Sequence, residues 1–548
     1  MGNSNTNKNN AAMSEGQHLN WMGGISYDIN DPLVQLRIIA SSCFFGEPQY
    51  YHTDEKEEKS RKYFQSDPMM RPLESIYYGQ ILQELKDHLA VHLQTIDPVE
   101  WRDKTPAKMM EDAIDKAIAH DVEAALVLAG NLRQHDHIRT TPQIIMVRAA
   151  NSTQVKGTNL IRKYAPQIIR RADELSTQLA YQLSAFGKPI PSRLKRAWAD
   201  KLETLDEYAL AKYRQENHVV SLWDVVNIAH PKATPALTAL MKGGLSLAGK
   251  TWEAITSEKG STKEAWEESI DVMGHMALLR NLSNLEQAGI APDVFIEKLK
   301  AGVKGGKQLP FRYWSAYAKT KANGASPITL DAIEECLMLS MEDLPYFDGR
   351  VMSLTDNSGS AQRTFTSKYG TVAINQIANL TGVITGMISK EGYIGVFGDR
   401  LDVMPIRKKS SVFDQTEETN KKGSNIGGGT ENGIWLFWDN AIKQKEHWDY
   451  VFIYSDMQAG HGGLYGLNSA DYHQYQWPLD KNNIDIPSLI DTYRKEVNPN
   501  VLVFCVQIAG YKDTIVPEFY NRTYIMGGWS DGVLQFAGYM ANMNSQKS

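Results

Sequence analysis

Two kinds of apolar spacing divide the chain. From about residue 70 to 345, apolar positions recur at helical spacing in segments broken by Pro and Gly. This predicts helices over 72–94, 98–130, 165–187, 192–215, 221–229 and 265–288. Ser221, followed three residues later by Asp224, has the spacing of a capping box, in which both side chains bind free N–H groups of the first turn. Many short helices in succession predict stacked helical pairs, with no crisp sequence repeat. After Tyr346 the pattern changes. Apolar runs of strand length at 350–355, 393–398, Tyr450–Ser455, 501–508 and 523–526 alternate with helical stretches at 368–388, 431–445, 486–497 and 532–540. Such alternation predicts a mostly parallel, doubly wound sheet with helices on both faces. The expected fold class is mixed. A polar, Asn-rich tail over 1–20 is expected to be disordered, an all-α helical-repeat module covers 21–345, and an α/β domain covers 346–548, with the change near 342–349.

Composition narrows the class. The 548 residues are 42% hydrophobic and 22% charged, ordinary values for globular domains, and this length calls for more than one core. No run of eighteen apolar residues occurs, so no membrane span or membrane partner is expected. The three cysteines, Cys43, Cys336 and Cys505, form no C-x-x-C pair, which fits a reducing compartment and argues against a cysteine-held zinc or a disulfide framework. No secretory signal is visible, and a cytoplasmic location is expected. Gly2–Thr6 fits the loose myristoylation pattern, which an Asn/Ser/Thr-rich tail produces by chance. Net charge is −6, yet residues 148–250 carry 16 Lys+Arg against 8 Asp+Glu. A basic middle in an acidic chain points to a localised anionic partner or, more plainly, to solvated helix faces.

One constellation carries metal chemistry. Asp356 directly follows the first strand run, and Asp356, Ser358 and Ser360 alternate along one loop, able to aim three oxygens at one point. Thr430 follows three glycines before a helix, and Asp456 follows another strand. Ligands in open α/β sheets sit beyond the carboxyl ends of strands. An all-oxygen donor set suits Mg²⁺, with Mn²⁺ or Ca²⁺ as substitutes. The order D-x-S-x-S, then Thr, then Asp resembles the metal-ion-dependent adhesion site of von Willebrand factor A domains. A protein-interaction scaffold, whose metal binds an acidic side chain of a partner, is the alternative function this implies. A metal-dependent phosphoesterase is disfavoured, because no general base or second metal site is evident.

The helical half offers groups suited to single-stranded nucleic acid, which needs cations for phosphate and rings or amides for bases. Arg193, Lys195 and Arg196 open the 192–215 stretch. Trp223, Asn227 and His230 stand at i, i+4 and i+7 on one helix face, either as a base-reading surface or as a core Trp with a satisfied His. Arg280, Asn281 and Asn284 form a polar stripe opposite Leu278, Leu282 and Leu285, either facing RNA or merely solvated. Residues 244–251 fit G-x-x-x-x-G-K-T. The phosphate loop needs a preceding strand, whereas 235–242 reads as helix, so ATP binding is not expected.

Several stretches resemble the TROVE module of the Ro autoantigen and its bacterial relatives: Ser42-Cys43-Phe44-Phe45-Gly46 with Tyr50-Tyr51, Lys212-Tyr213-Arg214-Gln215, Ile228-Ala229-His230, Ala277–Leu282 and Leu309-Pro310-Phe311. The family joins this module to a C-terminal von Willebrand A domain, and the resemblance spans residues 20–548. It implies a monomeric ring of HEAT-like helical repeats without catalytic activity. Such a ring binds single-stranded 3′ ends of misfolded noncoding RNA in its hole and Y RNAs on its basic outer surface, acts in RNA quality control, and in bacteria works with exoribonucleases. Under it, Lys156, Arg162, Lys163, Arg170 and Arg171 become outer-surface phosphate contacts, joined by Arg214. Glu216 stands where relatives tend to be basic, and the Gly/His/Tyr-rich stretch 460–476, with His461 and His473, is longer than usual.

Overall fold

The computed structural model describes residues 17–19, 25–27, 31–42, 106–213, 220–245, 251–308, 310–359, 361–362, 364–367, 370–427, 433–455, 464–465, 476–477, 480–484, 486–508, 519–520, 522–527 and 531–545. Among the described residues, helices are the regular elements from Pro106–His120 to Pro327–Met341, and the strand Phe347–Asp356 follows. The helices are shorter than apolar periodicity suggests, because polar residues break them. Asp121 ends Pro106–His120 and caps Val122–Gln134 by accepting from the Ala124 N–H at 2.9 Å. The 165–187 stretch splits into Leu160–Ile168 and Asp173–Ala185, the 192–215 stretch into Ser192–Leu202 and Glu207–Lys212, and the 265–288 stretch into Lys263–Val272 and His275–Gln287. The capping box at Ser221 forms as its spacing predicts. The 72–94 expectation lies outside the described residues.

Helices pack with near neighbours in sequence: Val122–Gln134 on Thr140–Asn151 and Leu160–Ile168, and Leu160–Ile168 on Ser192–Leu202. One core of Leu, Ile, Val and Ala side chains runs from Leu36 to Leu245. A buried polar ladder crosses it. Trp198 Nε1 donates to Gln178 Oε1 at 2.7 Å, Gln178 Nε2 to Gln143 Oε1 at 2.8 Å, and Gln143 Nε2 to the Ile168 carbonyl at 2.9 Å. Each buried amide thus finds a partner, which fixes the register of four helices.

The second half builds a mixed sheet. Five strands run parallel in the order Thr523–Gly527, Leu502–Gln507, Tyr450–Ser455, Phe347–Asp356, Ser389–Phe397. Leu401–Pro405 adds an antiparallel edge, as does Phe519–Tyr520 on the other side. Central strands are buried on both faces, which is why they read as continuous apolar runs. The chain winds from Phe347–Asp356 to one side and returns to Tyr450–Ser455 on the other, so the switch in winding lies between these two strands. Two short strands, Gln17–Leu19 and Ile25–Tyr27, extend the Phe519–Tyr520 edge; the rest of the 1–20 tail lies outside the described residues. Among the described residues, no helix is long and apolar enough to cross a membrane.

Candidate nucleic-acid interface and the Asp356 loop

The Asp356 loop sits at the carboxyl end of its strand, beside the switch in winding. Asp356, Asn357 and Ser358 are buried. Asp356 Oδ1 accepts from the Ser358 N–H at 2.9 Å, and Oδ2 accepts from Ser455 Oγ at 2.6 Å, so the carboxylate ties the two strands across the switch. Asn357 is held by other asparagines. Its Nδ2 donates to Asn379 Oδ1 at 3.0 Å, and its Oδ1 accepts from Asn379 Nδ2 at 2.8 Å and Asn375 Nδ2 at 3.3 Å. Asn379 Nδ2 also reaches Asn420 Oδ1 at 2.8 Å. Gly423 leaves room for this cluster, since a Cβ there would stand 2.0 Å from Asn357 Oδ1.

The expectation of Mg²⁺, Mn²⁺ or Ca²⁺ in this loop is overturned. Among the described residues, no group of three or more His, Cys, Asp or Glu side chains is placed to hold a metal ion. Both oxygens of the Asp356 carboxylate serve internal hydrogen bonds instead. Ser360, Thr430 and Asp456 lie outside the described residues.

The cations expected to meet phosphate fall into two sets. Arg162 forks onto Asp200, with Nη2–Oδ1 at 2.8 Å, Lys163 pairs with Glu123 at 2.7 Å, and Arg171 forks onto Asp173 at 2.9 Å for both bonds. The Asp200 carboxylate holds the Arg162 guanidinium above its ordinary pKa, as Glu123 does for Lys163. Arg171 also lies 4.7 Å from the Tyr213 ring centroid. Among the described residues, by contrast, no ion pair engages Lys156, Arg170, Lys195, Arg196 or Arg280. Of these Lys195 is half-buried and the others are exposed. Arg193 is half-buried, with Nη1 inside and no hydrogen-bond partner. Arg214 lies outside the described residues.

Trp223 is not a core residue. The ring is 39% exposed, while Trp198 on the neighbouring Ser192–Leu202 helix fills the core position. Asn227 and His230 are exposed on the same helix, and His230 ends it in the left-handed region at φ 50°. This helix packs on Ser192–Leu202 and Asp173–Ala185, so an exposed ring, amide and imidazole stand on the helix next to that of Lys195 and Arg196. Arg280 and Asn284 are exposed. Asn281 is buried, accepting from Asn284 Nδ2 at 2.8 Å and donating to the Ala277 carbonyl, so only part of that stripe faces solvent. In the nucleotide-loop match, the Pro235–Met241 helix precedes and Thr251 caps the Trp252–Lys259 helix, with no strand before the glycines.

Residues 244–327 match the TROVE domain family. The fold is similar to that of the crystal structure of Deinococcus radiodurans RO (RSR) protein, with a TM-score of 0.57 and 16% sequence identity over 78% of this chain and 93% of that chain. No curated protein matches the chain.

Proposed function

We propose that the protein is a non-catalytic, RNA-binding ring of HEAT-like helical repeats, with a von Willebrand A-like domain over 346–548. It binds Y RNA-like and misfolded noncoding RNAs, receives their single-stranded 3′ ends in its channel, and serves RNA quality control in the cytoplasm together with an exoribonuclease. One observation carries this reading. Trp223, Asn227 and His230 are exposed on a helix that packs against the helix of Lys195 and Arg196, two cations that no ion pair engages among the described residues. Rings that stack on any base, beside cations that track phosphate, are the requirements of single-strand binding. The TROVE match and the shared fold support the choice of RNA.

Arg162, Lys163 and Arg171 are better read as structural, because each already neutralises a carboxylate. The test is the RNA that accompanies the native protein. Sequencing it should return structured noncoding RNAs with unpaired 3′ ends. Protein free of RNA at low salt, or bound only to fully double-stranded RNA, contradicts the reading.

A further inference from the structure

Positive charge gathers at the turn between the Leu160–Ile168 and Asp173–Ala185 helices. Glu174 is buried there, and both of its oxygens are engaged. Oε1 pairs with Arg133 Nη2 at 2.8 Å, and Oε2 accepts the backbone N–H groups of Arg170 and Arg171 at 2.7 and 2.9 Å. Asp173 is divided between two guanidiniums. Arg171 Nη2 lies 2.9 Å and Arg139 Nη2 3.0 Å from the same oxygen, Oδ2. One carboxylate does not neutralise two guanidiniums, so this pairing leaves positive charge over.

Two more cations stand at the same turn. Arg170 is exposed, and Lys201, at the end of the Ser192–Leu202 helix, is half-buried. Among the described residues, no ion pair engages either of them. Burial pulls the Lys201 ammonium down from its ordinary pKa; the Glu174 carboxylate opposes this, and the Arg170 guanidinium adds to the fall. The three groups are therefore within electrostatic reach of one another. A half-buried ammonium without a counterion is costly, and an anion beside it removes that cost. Glu174 already takes the backbone N–H groups of the turn, so such an anion would be met by side chains. A phosphodiester brings one negative charge, whereas a phosphate monoester brings about 1.5–2 at pH 7 and better matches the excess of cations.

We propose that Arg170 and Lys201 form a binding site for a phosphate monoester, with Arg139 and Arg171 holding the turn through Asp173 and adding to its positive field. The site stands on the charge imbalance of the turn. Its link to the terminal phosphate of a bound RNA rests on the RNA-binding reading above.

Two probes test it. One is inorganic phosphate, read by thermal unfolding at fixed ionic strength. The other is a 3′-tailed hairpin RNA carrying a 5′-phosphate, a 3′-phosphate or hydroxyls at both ends, read by filter binding. Each is applied to the unaltered protein, to Arg170→Gln with Lys201→Met, and to Arg170→Gln alone, which changes only an exposed position and leaves Lys201 in place. Phosphate should raise the Tm of the unaltered protein saturably, and less in both variants. With an RNA end as the source, one phosphorylated RNA should bind about tenfold tighter than the hydroxyl form, or about 1.4 kcal/mol, and lose that advantage in both variants. RNAs that bind alike, while phosphate still stabilises only the unaltered protein, identify free phosphate as the source. A phosphate effect undiminished in the variants overturns the site, as does the absence of any phosphate effect on stability and on RNA affinity. Failure of every RNA to bind, with the stabilisation by phosphate retained, overturns the RNA reading and leaves the site standing.

Discussion

Replacing Asn379 by Ala should destabilise the C-terminal domain strongly, although the residue touches no ligand. Asn379 makes three buried hydrogen bonds: two with Asn357, at 3.0 and 2.8 Å, and one to Asn420, at 2.8 Å. Each contributes about 1 kcal/mol net, and a buried partner left without its mate adds about 1–3 kcal/mol. Asn357 keeps Asn375 and the Thr355 carbonyl as partners, which limits that second cost. The expected loss is therefore ~2–4 kcal/mol. For a domain of this size it corresponds to a fall in Tm of roughly 4–16 °C. Urea unfolding followed by the fluorescence of buried Trp438 and Trp448, alongside far-UV circular dichroism, measures it. Asn420→Ala is the control, since it removes one of these bonds, and should lose about 1 kcal/mol. A loss below about 0.5 kcal/mol for Asn379→Ala would show that the cluster does not hold the loop, and the account of Asp356 as an internal tie would fail with it.

Three further outcomes follow. Trp223→Ala should weaken binding of a single-stranded tail by about 1–3 kcal/mol, read by filter binding, because one stacked base loses its ring; unchanged affinity would leave the exposed ring without a role. Arg162→Ala should lower thermal stability slightly, by about 0–1 kcal/mol for an exposed pair, and leave the salt dependence of RNA binding intact; a shallower salt slope would place Arg162 on the RNA. Burial, aided by the Lys307 charge, pulls the His137 imidazole down to about 4 from 6.5, with Asp343 opposing and Arg133 and His135 adding to the fall. A lowered folded pKa favours the neutral ring, so its stabilisation is complete above about 6.5 and is lost as pH falls toward 4, an effect reduced by solvent screening. Hydrogen exchange around 133–139 should therefore speed up over that window, and less so in His137→Asn, which tolerates the left-handed backbone at φ 57°.

The sheet was legible because its strands are buried on both faces, so apolar runs such as Tyr450–Ser455 mark them directly. Helix ends were less legible. Apolar periodicity continues across Asp121 and across 169–172, and only local cap chemistry shows the breaks. The hairpin at Gln17–Leu19 and Ile25–Tyr27 gave no signal, since three-residue strands have no periodicity and their sheet partner lies far along the chain. The candidate site divides in the same way. Helical spacing put Trp223, Asn227 and His230 on one face, but it could not decide between core and solvent, because that depends on Trp198 occupying the core. The pairing of Arg162 with Asp200 and of Lys163 with Glu123 joins residues 38 and 40 positions apart, which no local pattern encodes. The D-x-S-x-S spacing located a real loop at the switch in winding but not its chemistry, since the asparagine partners come from two other helices.

The central claim is that the Trp223 face and the cations Lys195 and Arg196 of the adjoining helix bind RNA. The most direct test is the salt dependence of affinity for a 3′-tailed hairpin RNA, in the unaltered protein and in Lys195→Glu with Arg196→Glu. The account predicts that the double variant flattens the slope of log affinity against log salt by about 1.4, roughly 0.7 for each single-strand phosphate contact removed. Removing the tail from the RNA should abolish the difference between the two proteins. A variant with unchanged slope and affinity, in a protein that still folds, would contradict it.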